Sequence, residues 1–366
     1  MLVNQQQYRT IWPNENAELS LSGVSIIDQT KLPHRFEIVT IQSLEQMIDA
    51  INNMQVRGAP LIGAAAAYGV ALAMQQDASD LYLNHAVKQL IHSRPTAVNL
   101  KWAAQRMLKK LLDLSVADRL SAAWREAAAI CDEDVELNQA IGGHGLMLIK
   151  ALAAKKPSSL NIMTHCNAGW LATVDFGTAL APIYAAHDAG IALHVWVGET
   201  RPRNQGASLT AWELSQHGVP HTVISDNAGG HLMQQGDVDM VIVGADRVTS
   251  TGDVCNKIGT YLKALAAFDQ NIPFYAAVPS PTIDWTMTNG LKDIEIEQRS
   301  PRELSWINGM LANGELAEVN ILPPNTHVAN PAFDVTPARL VTGIITELGV
   351  YAPDQLKTIP FINRLG

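Results

Sequence analysis

The hydrophobic pattern of the first part of the chain is mostly helical. Apolar residues recur there at the three- and four-residue spacing of buried helices. The pattern predicts helices over residues 61–74, 81–91 and 102–114, and a longer one from residue 116 past 129 that can continue towards 149. β-branched and alternating residues before them predict one or two strands, in residues 20–29 and 34–41. We therefore expect a helical region that carries a small sheet.

The pattern changes after the break at residues 155–159, where short apolar runs alternate with helical segments. These runs predict strands over residues 160–164, 192–197, 221–224, 238–243 and 274–278. Strands that alternate with helices pair in parallel and are covered on both faces. We predict an α/β fold: a small, mostly helical N-terminal domain with a linking helix over residues 1–150, followed by a Rossmann-like doubly wound parallel sheet domain over residues 151–366. The segment after residue 325 is turn-rich, and we leave it unassigned.

Composition narrows the class of protein. The chain has 366 residues, 47% hydrophobic and 17% charged, as in globular proteins of two domains. It has no apolar run that approaches a membrane span and no secretory signal, so we expect a cytoplasmic protein without a membrane partner. The net charge of -9 argues against nucleic acid. Three widely spaced cysteines argue against disulfides and zinc, so a functional cysteine would act alone.

Polar residues follow four of the predicted strands. Ligands bind beyond the carboxyl ends of the strands in a doubly wound sheet, so these residues should meet at one crevice. They are His165-Cys166-Asn167-Ala168-Gly169, Glu199-Thr200-Arg201-Pro202, Asp226-Asn227 and Asp246-Arg247. We expect His165 to be structural, because adjacent residues on a strand face opposite sides.

Cys166 and Asp246 are the candidates for proton chemistry. Cys166 would lie beside the start of a helix, where the helix dipole favours a thiolate, although a lone cysteine is often simply a buried apolar residue. Partial burial would raise the pKa of Asp246 and make it a general acid, although a turn aspartate paired with Arg247 fits the spacing equally well. The residues themselves leave both questions open.

Arg57-Gly58-Ala59-Pro60 stands before a predicted helix and offers a phosphate site, or else is ordinary helix punctuation. Arg94, Gln205, Asn256 and Lys257 are further phosphate or hydroxyl partners by residue type, but each of them taken singly fits an ordinary polar residue of the protein surface better. Motifs for dinucleotides, P-loop nucleotides, zinc proteases and serine hydrolases are absent from the sequence. We interpret Gly142-Gly143-His144-Gly145 as a break in the helical region.

Taken together, six segments resemble the methylthioribose-1-phosphate isomerases over nearly the whole chain. They are Arg57-Gly58-Ala59-Pro60, Arg94-Pro95-Thr96-Ala97-Val98-Asn99-Leu100, Thr164-His165-Cys166-Asn167-Ala168-Gly169, Glu199-Thr200-Arg201-Pro202, Gly244-Ala245-Asp246-Arg247 and Asn256-Lys257-Ile258-Gly259-Thr260. Residues 331–337 and 345–347 look like the closing segments of the same family.

This resemblance implies a homodimeric enzyme of methionine salvage that acts on a small sugar phosphate and needs no cofactor and no metal. It implies catalysis by Cys166, at the reacting carbons, and by Asp246, as proton donor. It implies substrate binding by Arg57, Gly58, Ala59, Arg94, Gln205, Asn256 and Lys257.

Two alternatives stay open at this point. One is an isomerase of a related substrate such as ribose 1,5-bisphosphate, which needs a second phosphate site where a thioether would want an apolar wall. Trp170, Trp196 and Met163 are candidate sources of that wall, although core packing is the more ordinary use of each. The other alternative is a non-enzymatic regulatory subunit of a translation initiation factor, which would share the fold.

Overall fold

The computed structural model describes residues 1–15, 21–156 and 158–359 of the chain. Its longer helices agree with the prediction for the N-terminal region and extend it. The helices are α1 (Leu44–Asn52), α2 (Ala59–Gln76), α3 (Asp80–Ser93), α4 (Val98–Leu112), α5 (Val116–Ala153), α6 (Ala181–Asp188), α7 (Ala211–His217), α8 (Ala228–Gln235), α9 (Thr260–Asp269), α10 (Gly290–Asp293) and α11 (Arg302–Ser305). In the part of the chain that is described, none of them combines the length and apolar content of a membrane span.

The strands are β1 (Leu2–Val3), β2 (Gln6–Gln7), β3 (Ile11–Glu15), β4 (Leu21–Ile27), β5 (Ile38–Ile41), β6 (Leu160–His165), β7 (Leu193–Gly198), β8 (His221–Ile224), β9 (Met240–Val243), β10 (Arg247–Thr249), β11 (Val254–Lys257), β12 (Phe274–Ala277), β13 (Ile283–Asp284), β14 (Trp306–Met310), β15 (Leu316–Asn320), β16 (Phe333–Thr336), β17 (Gly343–Thr346) and β18 (Gly349–Tyr351). Strands β3, β4 and β5 form the small N-terminal sheet, of which β3 was not predicted. The predicted residue Ser20 and, in the predicted break, Pro157 lie outside the described residues.

Helix α2 forms the centre of the N-terminal core. Its sequence is almost wholly small or apolar, and residues from Leu61 to Met74 are buried on every side. Helices α1, α3, α4 and the first half of α5 surround it. Serine side chains cap two of them: Ser43 accepts a hydrogen bond from Gln46 N, and Ser79 accepts one from Tyr82 N, each at 3.3 Å.

The expected break at residues 142–145 was wrong, because α5 runs through it without interruption. The glycines serve packing instead. A Cβ on Gly142 would lie 3.3 Å from Ala181 Cβ, and one on Gly145 would lie 2.6 Å from Pro182 Cβ. Their missing side chains let α5 approach α6 closely, and that contact outweighs the low helix propensity of glycine.

The central sheet has seven strands in the order β18-β17-β12-β9-β6-β7-β8. All pairs are parallel except β17 with the edge strand β18. Adjacent residues of β6 pack in different hydrophobic cores: Ile162 packs on one face of the sheet and Met163 on the other. The predicted Rossmann-like sheet covered on both faces is therefore confirmed, with β17 and β18 added from the unassigned tail.

Strand order places a crevice between β6 and β9. From β6 the chain moves outward through β7 to β8, and then returns to the other side of β6 to form β9, β12 and β17. The connections leaving β6 and β9 therefore diverge, which opens a space beyond their carboxyl ends. A second sheet has the order β13-β10-β11-β16. Its strand β10 follows β9 directly in the chain, so this sheet lies at the carboxyl end of β9.

Candidate active site

Cys166 and Asp246 meet at this crevice. Cys166 follows β6 directly, and Asp246 follows β9 after Gly244 and Ala245. Both line a small cavity of about 30 Å³, together with Arg57 and Asn256. The sequence-predicted catalytic pair is thus brought together.

The backbone holds Cys166 in an unusual conformation. Its φ is 66°, its N–H donates to Thr200 Oγ1 at 2.8 Å, and its carbonyl accepts from Thr210 Oγ1 at 2.6 Å. This turn ends the strand, so the alternation that was expected to separate His165 from the site does not apply. His165 lines the same cavity, and its Nε2 lies 2.8 Å from the carbonyl of Ile258.

The thiol of Cys166 is buried, and burial disfavours its ionised form. It is 6% exposed, and Sγ lies 3.5 Å from Gln205 Oε1. Burial raises the pKa of Cys166, and the positive charges of Arg57 and Lys257 oppose this effect. The helix expected after Cys166 is a single 3₁₀ turn over Trp170–Ala172, which supplies no long helix dipole to favour a thiolate.

The carboxyl of Asp246 has the property expected of an acid. Burial raises its pKa, against the opposing charges of Lys257, Arg57 and Arg94. Arg247 does not pair with it: Arg247 lies 3.5 Å from Asp284 Oδ2 and donates to the carbonyl of Thr96 at 2.6 Å. The alternative of an ordinary Asp246–Arg247 pair is therefore contradicted.

Arg57 enters the crevice from the loop before α2. It is 9% exposed, donates through Nη1 to Asn167 Oδ1, and donates through Nη2 to the Asn167 carbonyl at 3.0 Å. Its Nε is buried without a partner among the described residues, so this N–H is one of the guanidinium donors open to a ligand. Gly58 (φ 97°) and Ala59 follow it along the cavity wall, so the alternative of a solvated Arg57 is contradicted.

The other expected binding residues surround this centre. Asn256 donates to Thr260 Oγ1 at 3.1 Å and lines the small cavity. The ammonium of Lys257 lies 4.5 Å from the ring centroid of Phe333. Burial lowers the pKa of Lys257, and its electrostatic interactions with the acidic groups of Cys166 and Asp246 oppose this effect.

Larger cavities open on both sides. One of about 540 Å³ is lined by Arg57 and Gln205 and covered by the hairpin β14–β15. The other, of about 200 Å³, runs from Asp246 to Arg94, whose guanidinium pairs with Glu297 at 3.3 Å. Every sequence-predicted site residue therefore lines one of the three cavities or, as Lys257 does, acts electrostatically on the catalytic pair.

The arginines that line these cavities differ in whether a carboxylate pairs with them. Four of them pair with carboxylates within 4 Å, as Arg94–Glu297, Arg203–Glu303, Arg247–Asp284 and Arg302–Glu318. Among the described contacts of the fifth, Arg57, the partners are an amide and a carbonyl oxygen. Arg57 thus keeps a positive charge that no adjacent carboxylate of the described residues pairs with. Within the described ranges no group of three or more His, Cys, Asp or Glu side chains is arranged to hold a metal ion.

Sequence reasoning missed Glu213, which lies on α7 behind the loop after β6. It is fully buried and accepts hydrogen bonds from Asn167 Nδ2, Trp170 N, Leu171 N and Tyr184 Oη at 2.8 to 3.0 Å. The only signal was a glutamate between Trp212 and Leu214 on an amphipathic helix, and nothing local shows that it turns inwards.

The model of the Initiation factor 2 subunit family matches residues 55–353. A methylthioribose-1-phosphate isomerase from Rhodospirillum rubrum is 61% identical over 358 residues, which cover 96% of this chain and 91% of that protein. One from Brucella anthropi is 58% identical over 363 residues, 98% of this chain and 99% of that protein.

Two solved structures are similar over almost their whole length. The 5-methylthioribose 1-phosphate isomerase from Pyrococcus horikoshii OT3 has a TM-score of 0.81 and 39% identity, covering 99% of this chain and 97% of that chain. A structure described as translation initiation factor eIF-2B, subunit delta, from A. fulgidus has a TM-score of 0.78 and 40% identity, covering 98% of this chain and 100% of that chain.

Proposed function

The chain belongs to the Initiation factor 2 subunit family and, within it, to the methylthioribose-1-phosphate isomerases, and on this premise we propose that it interconverts 5-methylthioribose 1-phosphate and 5-methylthioribulose 1-phosphate. This is an aldose-ketose isomerisation, with a place in methionine salvage. The observation that carries the proposal for this chain is the shared cavity of Cys166 and Asp246, with the unneutralised Arg57 beside it.

The substrate poses a specific chemical problem. Its 1-phosphate locks the sugar as a ring, so no free aldehyde forms until the bond between C1 and the ring oxygen breaks. In the proposed mechanism Asp246, whose pKa is raised by burial, gives a proton to the ring oxygen as that bond breaks. Arg57 and Lys257 hold the phosphate, and the negative charge of the phosphate stabilises the cation that develops at C1.

Hydrogen then moves from C2 to C1, and O2 loses its proton to leave the ketone. Cys166 is the residue that we propose for this hydrogen transfer. If its sulfur takes the C2 proton, the thiol must first lose its own proton, and C1 is later protonated from a pool that exchanges with water. If a hydride moves within the substrate, C1 receives no solvent hydrogen. Turnover in D₂O separates these routes, because deuterium at C1 of the product excludes a pure hydride shift.

The test of function is conversion of purified 5-methylthioribose 1-phosphate by the wild type and by Cys166→Ser and Asp246→Asn. Cys131→Ser is the matched control, since Cys131 is equally buried but packs in the N-terminal core. We expect turnover in the wild type and the control, and a loss of at least about a hundredfold in both site variants, the scale of general acid–base catalysis. A folded wild type that binds the sugar without converting it would reject the isomerase.

The regulatory-subunit alternative has one specific observation in its favour, the 40% identity to the A. fulgidus initiation-factor structure. The nearly full-length matches at 58% and 61% identity favour the enzyme. The same turnover assay decides between them.

Substrate choice between a 5-thioether and a 5-phosphate rests on the cavity walls. Trp170 and Met163 are buried in the cores, and Trp196 donates to the Asp237 carbonyl, so none of these three lines the cavities described above. Apolar surface near Asp246 comes instead from Ile62, Ile294 and Phe333. This wall suits a thioether, and relative turnover of the two sugar phosphates tests it.

Three further expectations belong to this proposal. Residues 1–150 and 151–366 form two domains, an idea supported by the separate N-terminal core around α2. The enzyme is a cytoplasmic homodimer, as the family resemblance implies. Light scattering of the purified chain tests the dimer, and limited proteolysis near residue 155 tests the boundary.

A further inference from the structure

Glu213 and Asn167 form a buried relay that ends on Arg57. Asn167 is 3% exposed and Glu213 is 0% exposed. The amide nitrogen of Asn167 donates to Glu213 Oε1 at 2.8 Å, and its amide oxygen accepts from Arg57 Nη1. An asparagine amide has a donor end and an acceptor end, so these two contacts fix which way it points.

Glu213 itself is fixed by the loop after β6. It accepts the backbone N–H groups of Trp170 at 2.8 Å and Leu171 at 3.0 Å, and a Cβ on Gly169 would overlap its Oε2. Tyr184 Oη on α6 completes the set at 2.9 Å. A buried carboxylate with several donors is a rigid anchor, because each bond lost would leave a desolvated group.

The relay also preserves the charge of Arg57. A carboxylate in the position of Asn167 would neutralise the guanidinium, as carboxylates do for the four other arginines lining the cavities. An amide positions the guanidinium equally well and leaves its charge for an anion. The buried Nε of Arg57, which has no partner among the described residues, is one of the donors open to that anion.

We propose that Asn167 and Glu213 are positioning residues that hold Arg57 as an unneutralised cation for the substrate's phosphate. This inference rests on the proposed function for the identity of the sugar, but the binding of a phosphate group can be tested without turnover. Neither residue touches the reacting atoms in this scheme, because both act through Arg57.

The experiment is a double-mutant cycle with inorganic phosphate as the probe. Its dissociation constant is measured by calorimetry for the full chain as wild type, Asn167→Ala, Arg57→Ala and the double variant. We expect Asn167→Ala alone to weaken phosphate binding by about tenfold or more, the effect of losing hydrogen bonds to a charged group. In the Arg57→Ala background the same change should alter the constant by less than about twofold, because the relay has lost its target.

Companion variants separate positioning from folding. Glu213→Gln should raise KM and weaken phosphate with a smaller change in kcat. Asn167→Asp keeps the side-chain shape and should weaken phosphate at least as much as Asn167→Ala, through neutralisation of Arg57 and repulsion from Glu213. Asn138→Ala is the control, since Asn138 is a fully buried amide on α5 outside the relay, and it should change thermal stability without changing the phosphate constant.

The outcomes distinguish this inference from the proposed function. Effects of Asn167→Ala that persist undiminished in the Arg57→Ala background overturn the relay, as does native phosphate affinity in a folded Asn167→Asp or Glu213→Gln protein. A wild type that shows the predicted coupling but converts no sugar rejects the isomerase and supports the relay. Turnover without coupling rejects the relay alone.

Discussion

Gly58 offers the sharpest test of how the two halves of the site are fitted together. It has φ 97° and ψ 137°, a conformation that side chains rarely adopt, and it stands directly before α2. A Cβ at this position would lie 2.5 Å from the carbonyl oxygen of Ala172 and 2.6 Å from its Cα. Both contacts are with backbone, so no side chain can rotate away.

The expected cost of Gly58→Ala has two parts. The backbone conformation costs about 1–3 kcal/mol for a residue with a Cβ. Separating two packed backbone segments costs roughly another 1–3 kcal/mol. The free energy of unfolding should therefore fall by about 2–6 kcal/mol. Because Arg57 precedes Gly58, the guanidinium also moves away from Asn167, and KM should rise about tenfold with a smaller change in kcat.

The matched control is Gly190→Ala. Gly190 also has a positive φ, 76°, but a Cβ there would meet nothing within 4 Å. It should cost only about 1–2 kcal/mol and leave KM unchanged. Urea unfolding and steady-state kinetics of both variants give the comparison. A Gly58→Ala protein no less stable than Gly190→Ala, or one with unchanged KM, would refute the close fit of Gly58 against Ala172.

Three other predictions follow from particular groups. Burial raises the pKa of Glu213 from 4.5 to about 7, so the free energy of unfolding of the wild type should fall by about 3 kcal/mol as pH rises from 4.5 through 7. Urea unfolding of Glu213→Gln should lack this part of the loss. An equal pH dependence of stability in the wild type and the variant would contradict the prediction. Gly143 lies exposed in the middle of α5, and a Cβ added there would meet nothing within 4 Å. Gly143→Ala should therefore stabilise the protein by about 0.5–1 kcal/mol in the same assay, and destabilisation would mean a contact at this position. In a Cys131→Ser/Cys255→Ser background, iodoacetamide should modify Cys166 far more slowly in the folded than in the urea-unfolded protein, and faster as pH rises, because burial raises the pKa of Cys166. Equal modification rates in the folded and unfolded protein would show an accessible thiolate.

Much of the fold was readable from local pattern. The longer N-terminal helices and five strands of the central sheet, β6, β7, β8, β9 and β12, were predicted, because apolar periodicity reflects the faces that an element buries. The strands β17 and β18 were left unassigned because they lie in a turn-rich tail. The glycines at 142 and 145 were misread because their purpose is the contact with α6, more than thirty residues away in sequence.

The features of the candidate site likewise divide into those that the sequence predicts and those that depend on the tertiary structure. The sequence by itself singled out the candidate residues Cys166, Asp246 and Arg57, since each follows or precedes an element in a recognisable segment. Only the tertiary structure decided their electrostatic environment and partners: that burial raises the pKa of Cys166, that Arg247 turns to Asp284 and not to Asp246, and that Glu213 points inwards. The physical reason is that a motif specifies residue types along the chain, whereas a pKa or a hydrogen bond depends on desolvation and on atoms brought close by distant segments.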